Sequence, residues 1–139
     1  NVLKVRRAYH NRTGSPVNPE NIRQNDLIVV SVTISTTDNS NIENVAITDI
    51  LPAGFEIENS RLNVERETNV NLVKSVPDYV DIRDDRISFF TTAAGTSKTF
   101  TYMVRAVSRG TFKLGPIGAD AMYNGQYYSY SGAGKVVIK

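Results

Sequence analysis

The side chains best suited to chemistry gather at a few points along the chain. Asp81, Asp84 and Asp85 lie close together, with Arg83 and Arg86 between and beside them. Carboxylates this close can act as an acid–base pair or hold calcium. A calcium loop carries a glycine at its sharp turn, and this segment has none. It therefore reads as a charged turn between two strands, with Asp84-Asp85 at the reversal. His10 is the single histidine. No Gly-x-Ser-x-Gly elbow supplies it with a nucleophile, so triad catalysis is excluded and no catalytic residue is assigned. One histidine and no cysteine leave no zinc site of the usual kind, and neither metal nor cofactor is expected. Gly132-Ala133-Gly134 is too short for a phosphate loop and lacks its lysine, so it reads as a loop before a strand. Asn11-Arg12-Thr13 matches the glycosylation acceptor pattern.

The tyrosines invite a different chemistry. Of the seven present, Tyr123, Tyr127, Tyr128 and Tyr130 crowd into one short stretch. Exposed tyrosines add contact area at low entropic cost. Met122 beside them is soft and adapts to a partner's shape. Two readings stand side by side: a contact surface of Tyr127, Tyr128 and Tyr130, or alternate tyrosines packing into a sheet.

Composition limits the classes of partner. The 16 basic and 14 acidic residues leave a net charge of +2, and the basic ones never run beyond the pair Arg6-Arg7. A nucleic-acid binder would show a basic stripe, so no nucleic-acid partner is expected. Without cysteine the fold is not held by disulfides. No apolar run approaches the roughly 20 residues that cross a membrane. The chain of 139 residues fits one domain and is long enough to bury a core. It starts at Asn1 with neither initiator Met nor signal peptide, and is expected to be a piece of something longer.

The elements that must position these groups are strands. Ile28, Val30, Val32 and Ile34 alternate with Ser31, Thr33 and Ser35, and Phe100, Tyr102, Val104 and Ala106 repeat the pattern. Shorter alternations mark further strands at Leu3 and Val5, Val45 and Ile47, Val80 and Ile82, Ile87 and Phe89, Phe112 and Leu114, and Val136 to Ile138. Turn-prone residues separate them, at 11–19, 38–41, 52–54, 94–95, 109–110 and 131–134. The polar stretch Ser60 to Val76 reads as a long connection with a short helical turn, ended by Pro77. Eight or nine short strands with one wet face predict an all-β, immunoglobulin-like antiparallel sandwich.

Several segments carry a family resemblance. Thr48-Asp49-Ile50-Leu51-Pro52-Ala53-Gly54-Phe55-Glu56 resembles a stretch of bacterial alpha-2-macroglobulins. Ile82-Arg83-Asp84-Asp85-Arg86-Ile87 is similar to a strand pair of that family. So are the block from Tyr102-Met103-Val104-Arg105-Ala106-Val107 through Gly110-Thr111-Phe112-Lys113-Leu114 to Pro116, the segment Ala119-Asp120-Ala121-Met122-Tyr123-Asn124, and Gly134-Lys135-Val136. Order and spacing agree over nearly the whole chain.

The resemblance implies a macroglobulin-type sandwich, with residues 1–139 as the C-terminal macroglobulin-like domain of a larger chain. It implies a parent that is a periplasmic or cell-envelope protease trap, membrane-anchored and working with a penicillin-binding cell-wall synthase. In such a parent a bait region is cut and a thioester in another domain captures the protease. This chain has no cysteine and cannot carry that thioester. The resemblance assigns Met122, Tyr123 and Asn124 to a loop that lies on the thioester domain and shields the thioester from water. The chain departs from the family's pattern at Gly125, where a proline is usual. Two other readings of the sequence are a stalk or adhesin module of a bacterial surface, and a carbohydrate-binding module with tyrosines stacked on sugars.

Overall fold

The segment Leu-Ile-Val-Val-Ser-Val-Thr-Ile-Ser-Thr is dominated by β-branched residues, which fit a pleated, half-buried surface. It forms the longest strand, β2 (Leu27–Thr36). A computed structural model describes residues 2–58, 77–123 and 127–139. Among them β2 is flanked antiparallel by β1 (Leu3–His10) and β7 (Lys98–Ala106). β4 (Phe55–Glu58) pairs with the far side of β7 and completes a sheet in the order β1-β2-β7-β4.

A second sheet is built around β3 (Ile42–Ile50). On one side lie β6 (Arg86–Ala93) and the edge strand β5 (Tyr79–Ile82). On the other lie β9 (Ile117–Ala121) and the edge strand β10 (Tyr128–Ser131), giving the order β10-β9-β3-β6-β5. β8 (Gly110–Leu114) and β11 (Gly134–Ile138) pair as a separate two-stranded ribbon. No helix forms among the described residues, and every strand pairing is antiparallel. The immunoglobulin-like antiparallel sandwich is therefore the fold.

The two sheets close on each other through their inward residues. Val30, Val32, Ile34, Phe100 and Val104 from the first meet Val45, Ile47, Ile87 and Phe89 from the second. Phe89 and Phe100 stack across the interface with ring centroids 5.2 Å apart. Burying each such side chain stabilises the fold by about 1.5–3 kcal/mol. The chain thus carries a continuous core of its own, the mark of an independent folding unit.

Two features depart from the alternation. Val29 and Ser31 lie on the opposite face of β2, yet both are buried, and Leu27, Val29 and Met103 form a second small cluster there. The strands β4, β9 and β10 also escape the hydrophobic pattern, because β4 and β10 are four residues each and β9 is rich in glycine and alanine. The stretch Ser60 to Val76 lies outside the described residues.

The Pro52-Ala53-Gly54 corner shows why a residue type is demanded locally. Gly54 is buried where β3 gives way to β4. A Cβ there would sit 2.5 Å from the Phe112 ring and 2.8 Å from Ile138. Glycine lets the corner pack directly on the β8–β11 ribbon.

Candidate functional site

The β9–β10 hairpin gathers the residues singled out for contact. β9 pairs with β3, so Ile117, Ala119 and Ala121 point into the core while Gly118 and Asp120 face outward. β10 pairs with β9 in the register Tyr128↔Asp120 and Tyr130↔Gly118, which turns both tyrosines to the outer face. The Tyr130 ring lies over Gly118, where a Cβ would come within 2.8 Å of it. Tyr128 and Tyr130 pair with centroids 6.1 Å apart.

At the tip Met122 is 47% exposed and Tyr123 84%, and Tyr128 and Tyr130 behind them are 50% and 58% exposed. Aromatic residues and methionine are enriched in protein contact surfaces relative to the rest of the surface. Tyr127 instead is partly buried and packs on the core. The two readings of the tyrosines thus divide by parity: Tyr128 and Tyr130 face out, and Tyr127 packs in. Asn124 lies outside the described residues.

The tip is mounted on the backbone of β3. A β-bulge interrupts the β3–β6 pairing between Ile42 and Val45, and within it Asn44 takes a φ of 58°. Asparagine tolerates this left-handed conformation better than most residues. The bulge turns the Asn44 carbonyl to accept the Met122 N–H at 2.9 Å, and the Ala121 N–H donates to the Tyr127 carbonyl at 3.0 Å. Ser40, Ile42, Glu43, Asn44, Tyr123 and Tyr127 line a shallow depression beside the tip.

Beneath the hairpin's open end lies a cluster that the sequence reading missed. Arg7 of β1 and Asp49 of β3 form an ion pair across the sandwich at 2.5 Å, with their side chains only 3% and 2% exposed. The Tyr102 hydroxyl of β7 donates to the other Asp49 oxygen. Arg7 Nη2 donates to the carbonyls of Gly115, at 2.8 Å, and Gly132, at 2.9 Å. Its guanidinium also lies 5.8 Å from the Tyr9 ring centroid, within cation–π range.

Burial raises the Asp49 carboxyl above its ordinary value, while the Arg7 charge and the Tyr102 and Arg7 hydrogen bonds pull it back. Burial likewise raises the Tyr102 and Tyr9 hydroxyls, with the Asp49 charge adding to it. Asp49 and Tyr102 are almost wholly enclosed, with Tyr9 buried nearby. The sequence held a signal for them. Arg7 occupies the inward phase set by Leu3, Val5 and Tyr9, and Asp49 the inward phase set by Val45 and Ile47. Two opposite charges at core positions of strands in facing sheets are each other's natural partner.

The remaining candidates behave as surface structure. Asp84 and Asp85 form the two-residue loop of the β5–β6 hairpin, closed by the Arg83 N–H donating to the Arg86 carbonyl at 2.9 Å. Asp81 pairs with Arg83 and Asp85 with Arg86, both at 3.1 Å in solvent. Among the described residues no group of three acidic, histidine or cysteine side chains is arranged to hold a metal. His10 Nδ1 stands 3.4 Å from the Ser31 hydroxyl, a long contact to a buried group.

A family model for the bacterial alpha-2-macroglobulin MG10 domain matches residues 3–126. The chain belongs to the bacterial alpha-2-macroglobulin MG10 family. It is 33% identical over 121 residues to the alpha-2-macroglobulin of Rickettsia conorii, covering 85% of this chain and 6% of that protein. It is 29% identical to that of Pasteurella multocida, covering 99% of this chain and 7% of that one. The MG10 domain therefore spans less than a tenth of the relatives it matches. Among solved structures, the native Escherichia coli protein superposes with a TM-score of 0.86 at 22% identity, covering 100% of this chain and 9% of that one. The Salmonella protein reacted with methylamine gives 0.84 at 26% identity, with 99% and 9% covered.

The MG10 motifs now have physical meanings. Asp49 is the buried ion, Gly54 the close approach to the β8–β11 ribbon, and Phe55 packs edge-on to Tyr9. Tyr102 braces Asp49, and Arg105 joins the Glu58 carboxylate to the Asn25 carbonyl. Met122 and Tyr123, from the segment Ala119 to Asn124, project from the tip instead of bracing the core.

Proposed function

We propose that this MG10 domain is a non-catalytic, C-terminal module of a protease-trapping chain. Its Met122–Tyr123 tip packs on the thioester domain and keeps the thioester dry. Tyr128 and Tyr130 extend the same contact along the outer face. The observation that carries the reading is the tip itself: a methionine and a nearly fully exposed tyrosine on a hairpin fixed at Asn44. A thioester hydrolyses when water reaches it, and an apolar, aromatic lid excludes water.

Two descriptions of relatives support this. One structure is of the Salmonella protein reacted with methylamine, a small nucleophile of the sort that attacks an acyl group. Another is of the E. coli protein activated by trypsin. By the same reading the parent traps proteases in the periplasm or cell envelope, is anchored to the membrane elsewhere in its chain, and works beside a penicillin-binding cell-wall synthase.

The test replaces Met122 and Tyr123 together by alanine in the parent chain. The expected result is faster loss of the thioester in water, followed by release of its thiol, and weaker covalent capture of protease. An unchanged thioester lifetime with unchanged capture overturns the lid.

A further inference from the structure

The β9–β10 hairpin is held at both ends by different means. Its tip hangs on the Asn44 carbonyl. At its open end, where the β9–β3 pairing stops at Thr48↔Gly118, one side chain from the opposite sheet reaches both legs. Gly115 lies two residues before β9 and Gly132 directly after β10, so their carbonyls mark the feet of the hairpin's two legs. Arg7 Nη2 donates to both, at 2.8 and 2.9 Å. Its other terminal nitrogen is committed to Asp49, which Tyr102 holds from the far side. A second, lesser tie joins the same foot to β1: the Ser131 hydroxyl donates to the Val5 carbonyl at 2.8 Å.

We propose that Arg7 is the positioning residue of the β9–β10 hairpin, gathering its two feet with one guanidinium and so fixing the direction in which the tip is presented. Arginine suits this task because its planar fork offers several donors in fixed geometry, whereas lysine is a point charge on a flexible stem. Asp49 and Tyr102 keep the fork from turning. Gly115 lies seven residues before Met122 along the β9 leg, so the clamp acts on the tip from up to about 23 Å away. That the clamp governs shielding of a thioester rests on the proposed function. That it governs the hairpin does not.

The variant Arg7→Lys keeps a charge beside Asp49 and loses the fork. Amide hydrogen exchange of this chain should then quicken by about tenfold or more in β9 and β10, while β2 and β7 change far less. Ser131→Ala, which removes no charge, should quicken the same two strands by a smaller factor. Equal acceleration in both sheets would mark Arg7 as a general stabiliser and overturn the clamp, as would an unchanged β9–β10 hairpin in both variants. In the parent chain, Arg7→Lys should shorten the thioester lifetime in the same direction as the tip double variant. Localised exchange with a tip double variant that leaves the thioester intact would remove the lid and keep the clamp. Uniform exchange with a sensitive tip would do the reverse.

Discussion

Among the described residues, two clusters of paired arginine and aspartate could hardly differ more in their surroundings. The β5–β6 turn carries Asp81, Arg83, Asp84, Asp85 and Arg86 in sequence, all near or in solvent. The other cluster, Arg7 with Asp49, is assembled from residues 42 positions apart and closed off from water. The turn is conspicuous in the sequence and weak in energy. The buried pair is inconspicuous in the sequence and ties the two sheets together. In water two opposite charges at contact distance attract by about 1 kcal/mol, and side-chain entropy offsets much of that. Inside the sandwich the desolvation of each ion is large, and every donor and acceptor must be met. Here Asp49 accepts from both Arg7 and Tyr102, and Arg7 donates to Asp49 and to two carbonyls.

The largest expected effect comes from breaking the buried pair on one side. Asp49→Ala leaves the Arg7 guanidinium enclosed without its counter-ion and should cost about 3–5 kcal/mol in a urea unfolding titration. A cost below about 1 kcal/mol, the scale of a surface pair, would erase the contrast between the two clusters.

The contrast also explains what could be read in advance. Alternation exposed β2 and β7, whose inward residues are nearly all apolar, and so the sandwich was legible. A contact surface of Tyr127, Tyr128 and Tyr130 and alternate tyrosines packing into a sheet were both legible, and the structure leaves Tyr128 and Tyr130 exposed while Tyr127 packs partly on the core. Met122 and Tyr123 were singled out by resemblance, and the structure exposes both at the hairpin tip. β9 was hidden because Gly118, Ala119 and Ala121 lack the bulk that marks a strand, yet small side chains are needed where Tyr130 lies over Gly118. Arg7 and Asp49 were hidden by residue type. A charge is ordinarily read as surface, and here the phase of its strand should have outweighed that habit. Pairing across sheets is set by the fold, not by neighbours in sequence, so no local pattern could join the two.

A smaller effect should appear in the response to pH, with opposite signs at the two clusters. The folded Asp49 carboxyl lies above its ordinary value of 3.8, chiefly through burial. Between that value and the raised one, the native chain keeps a proton that the unfolded chain has released. Asp49's contribution to stability therefore falls as pH rises through that window. The Asp85 carboxyl is lowered from 3.8, first by the Arg86 hydrogen bond. Its contribution is present above the ordinary value and is lost as pH falls through the folded one. Carboxyl carbon NMR should therefore place the Asp49 inflection above the ordinary aspartate range and that of Asp85 below it. Inflections on the same side would contradict the assignment of burial as the dominant influence on Asp49.

The smallest effect is expected at the turn. Asp85→Asn removes the exposed partner of Arg86 but leaves the backbone that closes the hairpin, the Arg83 N–H to the Arg86 carbonyl and the Leu51 N–H to the Asp85 carbonyl at 2.8 Å. Asparagine also suits a two-residue hairpin loop as well as aspartate does. The unfolding midpoint near neutral pH should thus stay where it is. Whatever small change appears should fade as salt is raised, because solvent-exposed charges are screened within about 8–10 Å at moderate ionic strength. A clear loss of stability that persists in high salt would mean that the turn holds more than its geometry displays. The division between a bracing interior pair and a merely solvated turn would then have to be redrawn around Asp85.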